Sequence, residues 1–196
     1  MNKENVTTKV AIIGLGKIGE TLAGNLIKGE QAVILASREF EKAQILAGQL
    51  GSLATAMPIA EALQEADVII PAIYFNELQE FLKIHATQLE GKILIDVSNP
   101  IAPDGKGGFQ KILGEQESAG QVLSQLLPKN SKLIKAFGTL GVGSLKNEAF
   151  SEPERKSLFF ASDSTNSHPI IEDLIARSGF APIHVGGIDQ AIRIEV

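Results

Sequence analysis

The stretch Val10-Ala11-Ile12-Ile13, followed at once by Gly14-Leu15-Gly16-Lys17-Ile18-Gly19, leaves this chain few folds to adopt. A short, apolar, β-branched run reads as a buried strand, and the stripe Ile18, Leu22, Leu26 and Ile27 behind it has helical spacing. The glycines of the turn meet three separate demands. Gly14 permits the tight turn, Gly16 lets backbone N–H groups approach a pyrophosphate, and Gly19 lets helix and strand pack closely. The start of the helix then presents unsatisfied N–H groups and the positive end of its dipole to an anion. In a chain with 19 glycines such a spacing arises easily, so the strand before it and the helix after it give the turn its meaning.

The rest of the chain repeats that strand–helix alternation. Apolar runs at 9–13, 32–36, 53–56, 67–73, 92–97, 133–137, 157–161 and 182–185 read as strands, most of them apolar at nearly every position. That pattern fits strands buried on both faces of a parallel sheet. Between them, the first stripe ends at Gly29 as its left-handed cap, and Phe40, Ala43, Leu46, Ala47 and Leu50 form a second stripe ended by Gly51. Further helices are expected at 58–66, 76–87, 118–127 and 167–178, the last closed by Gly179. The expectation is an α/β, Rossmann-type, doubly wound and mostly parallel sheet of about eight strands with helices on both faces. It forms a single domain over 1–196. The irregular stretch 100–117, with Pro103, Gly105, Gly107, Gly108 and Gly114, reads as a functional lid.

Composition removes several classes of chemistry. A formal charge of -5 gives no electrostatic reason to expect nucleic acid or an anionic membrane as partner. With no cysteine there can be no disulfide, thiolate nucleophile, iron–sulfur cluster or cysteine zinc site. No Asp/Glu/His cluster has metal-ligand spacing, so no metal is expected. The start Met1-Asn2-Lys3-Glu4-Asn5 is polar and no apolar run reaches membrane-span length, which makes a cytoplasmic protein the expectation.

The end of the second strand reads Leu35-Ala36-Ser37-Arg38-Glu39-Phe40-Glu41-Lys42. NAD sites place Asp or Glu at this tip to accept from the ribose 2′-hydroxyl, and such a carboxylate would repel a 2′-phosphate. Ser37 can instead donate a hydrogen bond and Arg38 a bidentate fork, with Lys42 one helical turn further on. This favours NADP(H) over NAD. The bland readings are a solvated Arg38 and a Ser37 that merely caps the next helix. Downstream, Asp96 can orient a ribose or cap a turn, and Asn99 before Pro100 can be a turn residue or a partner of a nicotinamide amide. Tyr74 and Phe75 can wall a pocket or pack a crevice. His85 and His168 read as surface residues and His184 as core or edge. No Ser/Tyr-x-x-x-Lys pair stands out as a general acid.

The glycine turn, the Ser37-Arg38-(x)3-Lys42-Ala43 element, Asp96-Val97-Ser98-Asn99-Pro100 and Lys135-Ala136-Phe137-Gly138-Thr139 occur here in the order found in NADP oxidoreductases of the coenzyme F420-dependent type. The chain resembles that family, which also holds the cytoplasmic domains of STEAP metalloreductases, over nearly its whole length. The resemblance implies backbone contacts from Leu15, Gly16, Lys17 and Ile18 to the pyrophosphate. Ser37, Arg38 and Lys42 would lie on the 2′-phosphate, and Ala72, Ile73 and Tyr74 beside the riboses. Asn99 and Pro100 would lie beside the nicotinamide, and Thr139 and Leu140 at the hydride-transfer face. It implies a flavin-like or deazaflavin small molecule as hydride acceptor, an exchange that asks for orientation rather than acid–base groups. A homodimer is a further implication. Gly138 departs from the Asn or His common in the family, which is expected to open the second-substrate pocket. The family commonly continues past 186–193 into a C-terminal helix, expected here to be short or missing. A reductase of a small imine or carbonyl, and a non-catalytic NADP(H) sensor or binding subunit, stand as the alternatives.

Overall fold

The computed structural model describes residues 8–195. Strand β1 (Val10–Ile13), helix α1 (Lys17–Lys28), β2 (Val33–Ala36), α2 (Phe40–Leu50) and β3 (Ala54–Ala56) form the first half of a sheet. Helix α3 (Ile59–Glu65) carries the chain back to β4 (Val68–Pro71), and α4 (Phe75–Ile84) with the single turn α5 (Ala86–Leu89) leads to β5 (Ile93–Asp96). A hairpin of β6 (Ile101–Pro103) and β7 (Phe109–Lys111) follows, then α6 (Ala119–Ser124), β8 (Lys132–Ala136), α7 (Val142–Asn147), β9 (Ser157–Ala161), α8 (His168–Arg177) and β10 (Ala181–His184). A 3-10 stretch, Ile188–Ile194, leads to Glu195, the last described residue.

The eight-stranded sheet has the order β10-β9-β8-β5-β4-β1-β2-β3, so the order in which strands are added reverses between β1 and β4. This is the doubly wound arrangement expected from the alternation. Within this sheet β3, β2, β1, β4, β5 and β8 run parallel, but β9 pairs antiparallel with β8, and β10 runs parallel to β9. The sheet is therefore mostly parallel with two reversed strands at one edge.

Period-two alternation explains the all-apolar strands. Val10, Ile12, Val33, Leu35, Val68 and Ile70 enter one core with Leu22 and Leu26 of α1 and Ile171, Leu174 and Ile175 of α8. Their neighbours Ala11, Ile13, Ile34, Ala36 and Ile69 enter the other, with Leu63 of α3 and Phe75, Leu78 and Leu82 of α4. Each face is covered because crossover helices alternate sides. At the reversed edge the covering thins: β9 alternates, with Phe159 exposed between buried Leu158 and Phe160, and Ile183 and His184 of β10 are exposed.

Three local expectations change. Gly29 is not the left-handed residue ending α1; it has φ -87, and Glu30 takes the left-handed conformation at φ 63. Glycine is needed at 29 for a different reason: a Cβ there would collide with the carbonyl of Arg177 at the end of α8. Ser37 does not cap α2, whose N-cap is Glu39 without a side-chain cap bond. The stretch 100–117 is not structureless. Asp104 accepts the backbone N–H groups of Lys106 (2.7 Å) and Gly108 (2.9 Å), bonds that hold its carboxyl below the usual range and tighten the β6–β7 turn.

Candidate functional site

Parallel register sets β1, β2, β4, β5 and β8 with their C-terminal ends on one edge of the sheet: Ile13 pairs with Ala36 and with Pro71, and Asp96 with Lys135. The cofactor-site residues singled out from the sequence lie at or shortly after these ends. The glycine turn follows β1, Ser37-Arg38 follows β2, Ala72-Ile73-Tyr74 follows β4, Asn99-Pro100 follows β5 and Gly138-Thr139-Leu140 follows β8. The crevice at a strand-order reversal is where open α/β sheets bind ligands. Here it lies between β1 and β4.

The three glycines of the turn prove unequal in cause. Gly14 has φ +95, and a Cβ on it would lie 2.6 Å from Cγ2 of Ile73 and 2.8 Å from the carbonyl oxygen of Ala72. At Gly19 a Cβ would strike the carbonyl of Gly14. Both are demanded by the fold itself. Gly16, the N-cap of α1, is exposed and a Cβ there would meet no heavy atom within 4 Å. Nothing inside the protein requires glycine at that position. Leu15 is buried, so only its backbone faces the crevice, whereas Lys17 is exposed and Ile18 half-buried.

At the β2 tip Ser37 is half-buried and Arg38 projects outward, its side chain 86% exposed and 3.6 Å from Glu77 of α4. Lys42 stands 3.2 Å from Glu20 of α1. The two cations, one just after β2 and one in the first turn of α2, lean on acids of the neighbouring helices α4 and α1. Pairs this exposed hold each other weakly and exchange readily for a stronger anion.

The far side of the crevice is more tightly built. Tyr74 is 68% exposed at the start of α4, while Phe75 behind it is buried core. Asn99 donates its side-chain amide to the carbonyl of Gly138 at 2.8 Å, joining the ends of β5 and β8. Gly138 is buried, and a Cβ on it would lie 3.3 Å from Oδ1 of Asn99 and 3.4 Å from the carbonyl of Ser98. A side chain at 138 would press on Asn99. Thr139 and Leu140 are half-buried, Leu140 packing on the core. Phe137, buried beside them, takes the left-handed conformation at φ 63, a strained choice for a bulky residue and one that concentrates at functional turns.

Sequence reasoning treated Lys135 only as part of a motif and missed what it does. Its side chain is 0% exposed and its ammonium lies 2.8 Å from Asp96 and 3.5 Å from Glu195, and it donates to the carbonyl of Ser98. The other oxygen of Asp96 accepts from the N–H (2.8 Å) and hydroxyl (2.7 Å) of Ser98. The Glu195 carboxylate accepts the N–H groups of Ala119 and Gly120 at 2.8 and 2.9 Å. Asp96 therefore does more than cap a turn. A lysine inside a strand covered on both faces was the available signal, because such a charge must have a partner.

The histidines lie away from this edge. His168 is not a plain surface residue: its ring lies 4.3 Å from that of His184, tilted to it, and meets Phe160 edge-on at 5.4 Å. His184 is on the edge strand, and His85 caps α4 against Phe81. Among the described residues no helix is long and apolar enough to cross a membrane.

With that geometry in place, likeness to known proteins becomes informative. The model of the family described as NADP oxidoreductase, coenzyme F420-dependent, matches residues 9–100, from β1 through the Asn99-Pro100 turn. The metalloreductase STEAP3 of Rattus norvegicus is 28% identical over 187 residues, which is 95% of this chain and 36% of that protein. The chain thus spans about a third of the length of that relative. The F420-dependent NADP reductase of Methanothermobacter marburgensis is 26% identical over 198 residues, covering 95% of this chain and 88% of that one. Among solved structures, an Arthrobacter sp. FB24 protein with a provisional F420-dependent NADP-reductase name superposes with TM-score 0.80 over 94% of this chain and 87% of its own. At 19% identity it speaks for the fold alone. The resemblance carried by the sequence motifs is upheld by the family model and by these relatives.

Proposed function

We propose that this chain, similar to the coenzyme F420-dependent NADP oxidoreductases, is an NADP(H)-dependent oxidoreductase that passes hydride between NADPH and a flavin-like or deazaflavin acceptor. The observation that carries the cofactor is the β2 tip: Ser37, Arg38 and Lys42 stand where NAD sites put a carboxylate. The glycine turn fits the same ligand, since Gly16 is open to solvent at a helix start with no internal reason to be glycine.

In this reading Leu15, Gly16, Lys17 and Ile18 bind the pyrophosphate through backbone N–H groups. Ser37, Arg38 and Lys42 take the 2′-phosphate, Arg38 and Lys42 leaving Glu77 and Glu20 to do so. Ala72, Ile73 and Tyr74 line the ribose path, Asn99 and Pro100 border the nicotinamide, and Gly138, Thr139 and Leu140 border the acceptor. The nicotinamide supplies the hydride chemistry; the chain supplies alignment and exclusion of water. No acid–base group is required by a direct transfer between stacked rings, which agrees with histidines placed elsewhere.

The activity test mixes the chain with NADPH and, in turn, flavin mononucleotide, coenzyme F420 or a ferric chelate, and follows loss of the reduced nicotinamide's near-ultraviolet absorbance. Turnover with one of these acceptors is expected, faster with NADPH than NADH. Tight NADPH binding without turnover on any of them would overturn the enzyme and favour a sensor. A binding test isolates the turn. Gly16→Ala should leave the thermal midpoint within about 2 °C of the parent, since nothing internal meets the methyl. The methyl should hold the pyrophosphate off the backbone N–H groups and weaken NADPH binding by roughly tenfold or more, the scale of one hydrogen bond to a charged group. Thermal melting reads the first effect and calorimetric titration the second. Unchanged affinity would remove the pyrophosphate from Gly16.

A further inference from the structure

We propose that Lys135, with Asp96 and Glu195, forms a buried ionic strut whose task is to position Asn99 and Gly138 against the nicotinamide half of the cofactor. The inference rests on the NADP(H) reading above and deepens it.

Lys135 does not reach the crevice, so it touches no reacting atom. It acts from beneath. Its ammonium holds Asp96, Glu195 and the Ser98 carbonyl together, and Asp96 in turn holds the N–H and hydroxyl of Ser98. The next residue is Asn99, whose amide is bonded to Gly138 two positions beyond buried Ala136. The stem of Lys135 runs under that bond: its Cε is 3.5 Å from where a Gly138 Cβ would be. Lysine, aspartate and Ser98 thus fix the backbone on both sides of the Asn99–Gly138 bridge.

Glu195 makes the arrangement more than a local turn. Its carboxylate is 5% exposed and reaches the strut from beyond the 3-10 stretch Ile188–Ile194. Ile188 and Ala191 of that stretch are buried against α6, where a Cβ on Gly120 would lie 2.6 Å from that of Ala191. One ammonium between two carboxylates leaves a net negative charge, and the Ala119 and Gly120 N–H groups offset it. A buried arrangement this fully satisfied has one geometry, and whatever it supports inherits that geometry.

The test uses two ligands that differ only in what the strut should affect. NADP+ carries the nicotinamide half; adenosine 2′,5′-bisphosphate carries adenosine with its 2′- and 5′-phosphates and lacks that half. Glu195→Gln should weaken NADP+ binding by about tenfold, the scale for loss of a hydrogen bond to a charged group, and leave the bisphosphate unchanged. Asn99→Ala should give the same selective loss, and the double variant should add nothing to it, because both act on one contact. Should Glu195→Gln fail to fold, Ser98→Ala, which removes a hydroxyl from the same strut, carries the comparison. Equal losses for both ligands, no loss for either, or additive losses in the double variant would overturn the strut while leaving the cofactor reading intact. A parent chain that binds neither ligand would overturn both.

Discussion

Arg38→Ala should lower NADPH affinity by between roughly tenfold and a hundredfold, the range for removing hydrogen bonds to a charged group, while NADH affinity stays within about threefold of the parent. The asymmetry is the point. Arg38 is 86% exposed and contributes nothing to either core, so its loss costs little in folding. Its partner Glu77 is left in solvent, where an unpaired carboxylate is cheap. A 2′-phosphate, by contrast, loses its fork. Titration of both cofactors against parent and variant checks the prediction, and the NADPH loss should shrink as salt rises, because the lost contact is electrostatic and near solvent. Equal losses for the two cofactors would move Arg38 to the adenine face or the ribose.

The largest effect on stability should come from Lys135→Met. The replacement is similar in length and fully apolar, yet it strands Asp96 and Glu195 in a site where both side chains are 5% exposed or less. Breaking a buried ion pair by removing one partner costs about 3–5 kcal/mol. For a domain of this size that is a fall of roughly 6–20 °C in thermal midpoint. Urea unfolding of parent and variant measures it directly. A change below about 1 kcal/mol, the worth of an exposed pair, would mean the carboxylates are solvated and the strut is loose.

The doubly wound sheet could be read in the chain because its strands are apolar on both faces and its helices are striped on one. Runs at 9–13, 32–36 and 67–73 became β1, β2 and β4 with every described strand residue buried. The reversal of β9 could not be read: β8 and β9 are joined by a stretch long enough for either a crossover or a direct return, and only packing decides. The β6–β7 hairpin escaped because its strands are three residues each, although Asp104-Gly105 is a turn signal. Ser37 failed as a cap because α2 begins later than the serine suggested.

The candidate site was legible in proportion to how local its causes are. Glycine turn, Ser37-Arg38 and Asn99-Pro100 declare themselves within a few residues. The strut does not, since Asp96, Lys135 and Glu195 lie far apart in sequence and meet only when β5 and β8 pair and the 3-10 stretch docks on α6. Similarly, Gly138 was expected to open a pocket by lacking a side chain. It is instead buried behind Asn99, and its smallness serves the bridge between β5 and β8.

The central claim is that this crevice holds NADP(H) and reads its 2′-phosphate at Ser37, Arg38 and Lys42. Calorimetric titration of the parent chain with NADP+ and with NAD+, in the same buffer, tests it most directly. Two charge-assisted contacts to the phosphate predict NADP+ tighter by a factor on the order of a hundred. Equal affinities, or a preference for NAD+, would contradict the account.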